Sequence, residues 1–223
     1  MSQENVGFIG LGNLGKAMAA NIASGGFEMC VFDILGAEER APAGASVGES
    51  VGEVAERSSL VFLCLPTIES IETVVCEICE ADVPQGSIVV NTSTAGPTCA
   101  VAAHGQLGKK GIGYADAAIA ATPPLMRAKK AVVMFSGEPN YLERLTPVFD
   151  SFSQTVFDLG TGVGDGQRMK LINNCLVHAA MTVTSEAIAW GEKGGLGMER
   201  FWAFSKRRRD ATMSPIISFQ SAW

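Results

Sequence analysis

NVGFIGLGNLGKAMAANI, residues 5–22, is the stretch whose reading decides the fold. NVGFIG (5–10) is a short apolar run ended by glycine, as a buried strand ends. Met18, Ile22 and the small residues between them then recur at helical spacing until Gly25-Gly26 stops them. Between strand and helix sits Gly10-x-Gly12-x-x-Gly15. Gly10 allows the tight turn, Gly12 lets backbone approach a pyrophosphate, and Gly15 lets helix and strand pack closely. The helix N-terminus adds unpaired N–H groups and a positive dipole end, so Gly10, Leu11, Gly12, Asn13, Leu14 and Gly15 are expected to bind a dinucleotide. Asp33 closes the next apolar run, EMCVFD, 23 residues beyond Gly10. That is the spacing at which an acid accepts from the adenosine ribose hydroxyls, and a carboxylate there repels a 2′-phosphate. NAD is therefore expected over NADP.

Outward from this unit the same alternation continues. Strands are expected near 60–66, 87–93, 112–117, 131–137 and 154–160, with helices such as 97–110 and 139–149 between them. Strand and helix in turn require crossover connections and a sheet covered on both faces. The rhythm changes after Gly166. No turn signal interrupts 167–193, which predicts an unusually long helix, and a second helix is expected from Met198. The expected class is α/β: a Rossmann-type, doubly wound, largely parallel sheet, followed by a long helix that starts an incomplete all-α domain. The boundary falls at GTGVGDG (160–166), giving a dinucleotide-binding domain over 1–162 and a helical part over 163–223.

Bulk composition narrows the function. The chain of 223 residues is 47% hydrophobic and 18% charged, which describes a folded globular protein. Seventeen basic against twenty-three acidic side chains give a net charge of −6, which argues against nucleic acid as a partner. No leader peptide and no membrane span are expected. The six cysteines (30, 64, 76, 79, 99, 175) fall mostly in apolar runs, as reduced cysteines do in the cytoplasm. Cys76-x-x-Cys79 stands without a second pair, so helix packing is the better reading than a metal site.

Four segments taken together carry a resemblance: GFIGLGNLGKAMAANI (7–22), VVNTSTAGP (89–97), DAAIAATPP (116–124) and GVGDGQRMKLINN (162–174). In order and spacing they resemble the 3-hydroxyacid dehydrogenases, the family of 3-hydroxyisobutyrate dehydrogenase and of the tartronate semialdehyde and sulfolactaldehyde reductases. The resemblance implies that Lys170 is the catalytic acid/base and that Asn174 holds the substrate. It places Thr94 against the cofactor and Leu65 and Pro66 along the nicotinamide side, and it puts Ser93 and Thr122 with the substrate. It implies a small anionic substrate and, for the family, a homodimer.

The residues agree. RMKLINNCL (168–176) puts a lysine and two amides into a greasy helix. Lys170 and Asn174 are i and i+4 and share a face. Near a helix N-terminus the dipole disfavours an ammonium, and desolvation in a cleft acts the same way, so Lys170 is tuned toward the neutral base. His178 continues that face by one turn, although a lone histidine on a long helix is more often simply packed.

Several positions depart from the family pattern. Ala120-Ala121-Thr122 stands where relatives carry Ser-Gly-Gly, which removes a substrate-binding hydroxyl for which Thr122 or Arg127 would have to compensate. Arg127, Lys129 and Lys130 would draw an anion, though a solvated basic patch is the plainer reading. Leu14 replaces a usual methionine and Asn91 a usual aspartate, both mild changes. Relatives continue with further helices that close the cleft, so the chain reads as C-terminally truncated. The run Lys206-Arg207-Arg208-Arg209 suits a helix C-terminus, and Trp202, Phe204 and Trp223 would be exposed without a partner surface. The alternative to a dehydrogenase is a truncated, non-catalytic NAD-binding or interaction protein. Lys170 argues against an imine-reducing relative. The lack of an arginine cluster beside it argues against a sugar-phosphate substrate.

Overall fold

The computed structural model describes residues 4–211. Eight short strands form one sheet: β1 (Val6–Ile9), β2 (Met29–Phe32), β3 (Ser46–Val47), β4 (Leu60–Leu63), β5 (Ile88–Asn91), β6 (Gly113–Ala120), β7 (Ala131–Ser136) and β8 (Ser153–Asp158). Their order is β3-β2-β1-β4-β5-β6-β7-β8. From β1 the chain winds out to β2 and β3, then returns to build β4 on the opposite side. This reversal leaves a crevice outside the carboxyl ends of β1 and β4.

Two layers of side chains explain why the central strands β1, β4 and β5 are apolar without alternation. Phe8, Phe62 and Val90 point to one face, where Met18 and Ile22 of α1 (Asn13–Ser24), Met126 of α5 (Pro123–Arg127) and Phe149 of α6 (Pro139–Phe149) cover them. Ile9, Val61, Leu63 and Val89 point to the other. That face is covered by Val54 of α2 (Val51–Glu56), Ile71, Val75 and Ile78 of α3 (Ile68–Glu80), and Ala100 and Leu107 of α4 (Pro97–Gly108). Strands buried on both faces read as continuous hydrophobic runs. At the centre of the first layer the Phe149 ring meets Phe62, Phe135 and Phe152 edge-on, with centroids 6.0–6.4 Å away. Phe149→Ala is expected to cost about 3–5 kcal/mol, read as a lower denaturant midpoint with an unchanged slope.

The largely parallel sheet carries one antiparallel pair, β6 with β7, through the turn that holds α5. Asn21 of α1 fixes this turn by donating its side-chain N–H to the Met126 carbonyl at 2.6 Å. Cys76 and Cys79 lie one turn apart on α3, Cys76 exposed and Cys79 half-buried.

The chain divides into two compact units, Met1–Leu171 and Ile172–Trp223. The first holds the sheet and the opening turns of α7 (Asp165–Lys193). The second holds the rest of α7 and then α8 (Met198–Ala211). Gly195, at φ +78, ends α7, and the Leu196 N–H turns back to the Gly191 carbonyl at 2.9 Å. Trp202 stacks edge-on with Phe201, and Phe204 is exposed, as expected from sequence. The side chains of Lys206–Arg209, and Trp223 entirely, lie outside the described residues. No described helix is long and apolar enough to cross a membrane.

Candidate active site

The register aligns Ile9 with Phe32 and Leu63, Leu63 with Asn91, and Asn91 with Asp116. Gly10, Asp33, Cys64 and Thr92 therefore emerge together along one sheet edge, and the expected site residues up to Thr94 are built on it.

The three loop glycines differ in what confines them. Gly10 sits at φ +99, and a Cβ there would lie 2.3 Å from the Cys64 carbonyl oxygen. At Gly15 a Cβ would lie 2.0 Å from the Gly10 carbonyl oxygen, so α1 packs on the turn by backbone contact. Around Gly12 no atom of the described residues outside its own neighbours lies within 4 Å of that position. Gly12 is also the N-cap of α1, and no side chain caps its first turn. Leu11 is buried, Leu14 half-buried, and Gly12 and Asn13 are exposed. An open face over uncapped N–H groups fits a pyrophosphate.

Asp33 stands where the spacing places it, but not alone. Its Oδ2 accepts the Leu11 N–H at 2.7 Å, which ties the acid to the glycine loop. Its Oδ1 accepts the Leu35 N–H at 2.9 Å and an Arg40 guanidinium N–H at 3.1 Å. Arg40 was invisible to spacing arguments, since six residues separate it from Asp33. Its guanidinium pairs with the Asp33 carboxylate and offsets its charge. Beside them Ile34 and Leu35 are 88% and 76% exposed, an apolar shelf next to Asp33.

At the ends of β4 and β5, Ser93 is buried and its hydroxyl is committed within the protein. It accepts the Leu65 N–H at 2.8 Å and donates to the Leu63 carbonyl at 3.4 Å. Ser93 thus shapes the Leu65-Pro66 turn, whose exit is fixed by the Thr67–Ser70 capping box of α3. Thr94, beside it, is exposed.

Lys170 lies in the second turn of α7, half-buried, and burial lowers its ammonium below the ordinary lysine range. The start of that helix is seated on the sheet by hydrogen bonds that motif reading missed. Gly164 N–H donates to Asp116 Oδ2 at 3.0 Å and Gly166 N–H to Ser136 Oγ at 3.0 Å. A Cβ at Gly96 would lie 3.9 Å from Leu171, so the turn after Thr94 adjoins the helix at Lys170's neighbour. Asn174 is half-buried one helical turn on, and His178, a further turn on, is exposed.

Asp116, Tyr114 and Gln167 form the buried polar group of the site. The Tyr114 hydroxyl donates to Asp116 Oδ1 at 2.8 Å and accepts from the Asn91 amide at 3.3 Å. Burial pushes the Asp116 carboxyl up, against the pull of hydrogen bonds from Tyr114, Gln167, Gly164 and Ser136. An acid inside the apolar run GYADAAIA was the one sequence signal for this group. Thr122 lies apart from it: exposed at the head of α5, its hydroxyl caps nothing. Arg127, Lys129 and Lys130 are exposed on the same turn.

Residues 5–160 match the family described as the NAD binding domain of 6-phosphogluconate dehydrogenase. The chain is 31% identical to 2-(hydroxymethyl)glutarate dehydrogenase of Eubacterium barkeri over 203 residues, 87% of this chain and 65% of that protein. It is 29% identical to the NAD-dependent L-serine dehydrogenase of Pseudomonas aeruginosa over 197 residues, 86% of this chain and 66% of that protein. The structure of Mycobacterium tuberculosis 3-hydroxyisobutyrate dehydrogenase with L-serine superposes with a TM-score of 0.77 at 27% identity, covering 87% of this chain and 67% of that one. The chain thus spans just under two thirds of the length of the first two relatives. With its model matched over most of the sequence, the chain belongs to the family of the NAD-binding domain of 6-phosphogluconate dehydrogenase.

Proposed function

We propose that the chain carries the cofactor site and the proton-transfer lysine of an NAD-dependent dehydrogenase. It interconverts a small 3-hydroxy acid, or a hydroxysulfonate, and its semialdehyde. The observation that carries the reading is Lys170: a half-buried lysine with no acidic partner among the described residues, its pKa lowered by burial, on a helix adjoining the turn after Thr94. NAD, when bound, supplies the hydride acceptor.

Gly10, Gly12 and Gly15, with Leu11, Asn13 and Leu14, hold the pyrophosphate over the N-terminus of α1. Asp33 accepts from the adenosine ribose. Leu65 and Pro66, set by Ser93, line the nicotinamide side together with Thr94. Neutral Lys170 takes the hydroxyl proton of the alcohol as hydride leaves its carbon, and returns that proton in reduction. Asn174 has a donor and an acceptor with which to orient the substrate's hydroxyl or acid group. Ser93 serves the substrate by positioning the turn rather than by a free hydroxyl, and Thr122 offers backbone N–H toward an anion.

We further assign residues 1–162 to the dinucleotide domain and 163–223 to the long interdomain helix and a partial helical domain, in a cytoplasmic enzyme. The relatives' names and the seating of Lys170 favour catalysis over a binding-only role.

The reading is tested by NADH formation from a panel of small 3-hydroxy acids and hydroxysulfonates, beside a fluorescence titration with NADH. Binding without turnover on any of them would remove the catalytic reading and leave a dinucleotide-binding protein. Asp33→Ser is expected to weaken NAD binding by about tenfold or more, the scale of hydrogen bonds to a charged group, and to narrow the preference over NADP. An unchanged ratio of the two dissociation constants would remove Asp33 from the ribose site.

A further inference from the structure

Gln167 has no exposed surface, and every hydrogen-bonding position of its amide is used. Its Nε2 donates to the Ser93 carbonyl at 3.1 Å and to Asp116 Oδ1 at 3.2 Å. Its Oε1 accepts the Ala95 N–H at 2.9 Å and the Gly96 N–H at 3.2 Å. The amide therefore grips the backbone on both sides of Thr94, across more than seventy residues of sequence. Lys170 follows three residues later on the same helix, one turn up and on nearly the same side.

We infer that Gln167 is a positioning residue that locks the cofactor-side turn at Thr94 to the helix carrying Lys170, with the Asp116 carboxylate fixing which way its amide points. The inference rests on the dinucleotide reading. An ionised carboxylate only accepts, so the end of Gln167 facing Asp116 must be the NH₂ group. Oε1 is then left facing the Ala95 and Gly96 amides, which can only donate. Asp116 is held in turn by donors from Tyr114, Gly164 and Ser136. At Gly166 a Cβ would lie 2.8 Å from both Asp116 Cβ and the Met134 carbonyl oxygen, so the helix has no slack at this seat. The hydride acceptor's neighbour and the proton acceptor thereby share one anchor. Errors in either position cost rate steeply, since productive geometry depends on fractions of an ångström.

Gln167→Met keeps length and removes both arms. The expected result has three parts, read on the whole chain. In cofactor-free protein, amide exchange by NMR quickens at Ala95 and Gly96. The NADH dissociation constant rises about tenfold, the scale of one or two lost buried hydrogen bonds. With NADH saturating, kcat also falls about tenfold, and its pH dependence shifts because Lys170 moves in its cleft.

A residue that only stabilises the fold would lower the melting temperature and leave affinity, kcat and pH profile of the folded fraction untouched. That outcome overturns the inference. Wild-type protein that binds no NADH would instead overturn the dinucleotide reading, and the inference with it.

Should Gln167→Met not accumulate as folded protein, Gln167→Glu decides. The titratable groups around the position are Asp116 and Tyr114 on β6, Cys99 on α4, and Asp165, Arg168 and Lys170 on α7. In acid, one proton shared with Asp116 keeps a donor between the two carboxyls. As pH rises that proton leaves and two buried carboxylates face each other. NADH affinity of Gln167→Glu must then fall with rising pH more steeply than in wild type. Parallel curves reject the coupling.

Discussion

Lys170→Ala is expected to lower turnover by about 10²–10⁴-fold while NADH binding stays within a few-fold of wild type, because it removes the proposed proton acceptor and none of the proposed dinucleotide contacts. The size follows from what a positioned acid/base contributes, and the selectivity follows from where the lysine sits. The glycine loop and Asp33 belong to other elements, at the ends of β1 and β2. A loss of turnover together with NADH binding would instead mean that the substitution disturbed the turn at Gly96. A loss of neither would leave the lysine without a role.

The sign of the pH dependence is fixed by the protonation state each direction needs. Burial lowers the Lys170 ammonium below its ordinary range. Alcohol oxidation requires the neutral amine, so its rate rises with pH through the lowered pKa and then levels. Carbonyl reduction requires the ammonium, so its rate falls over the same window. Stability follows the same proton. The unfolded chain holds it to higher pH than the folded one does, so wild-type stability rises with pH between the lowered and the ordinary lysine pKa. Lys170→Met, which has no charge to desolvate, should therefore melt no lower than wild type at neutral pH. A lower melting temperature would show that the lysine is a structural partner. The two measurements together separate chemistry from packing.

How much of this was legible before the structure depends on the range of the interaction. Strands β1, β2 and β4–β8 declare themselves because each is an apolar run bounded by turn residues, a signal contained in a few positions. The long helix α7 is equally local, and its predicted span of 167–193 differs from Asp165–Lys193 by two residues. Strand β3 is only Ser46–Val47 and exists because Cys30 and Val31 of β2 offer it a ladder. The antiparallel turn of β6 into β7 depends on α1, through Asn21 and Met126, which no local pattern encodes. The site divides in the same way. Glycine spacing and the i, i+4 pair are local and were read. Arg40 on Asp33 and Gln167 on the Thr94 turn are products of tertiary closure, and a glutamine in the middle of GDGQRMK carries no mark of its partners at 93–96. Ser93 shows the reverse case: the motif names the residue, and only the structure shows its hydroxyl bound to Leu65.

Gly12→Ala and Gly15→Ala should fail for different reasons, and the contrast tests the dinucleotide site without any substrate. Gly15→Ala places a methyl 2.0 Å from the Gly10 carbonyl oxygen, and both partners are backbone. Helix α1 has to move off β1, against its own buried Met18 and Ile22, so a loss of about 1–3 kcal/mol or more is expected as a lower denaturant midpoint. Gly12→Ala meets no atom of the described residues outside its own neighbours within 4 Å and keeps an ordinary φ of −64°. Its stability should change by no more than about 0.5 kcal/mol. Yet the methyl fills the face over the uncapped N–H groups of α1, where a pyrophosphate has to make close backbone contact. NADH affinity should drop by roughly 100-fold, the equivalent of about 2.7 kcal/mol in lost charge-assisted hydrogen bonds. Normal folding with lost affinity at Gly12 can arise only if the open space there belongs to the cofactor. Normal folding with retained affinity would move the pyrophosphate elsewhere, and the roles given to Asp33, Thr94 and Lys170 would have to move with it.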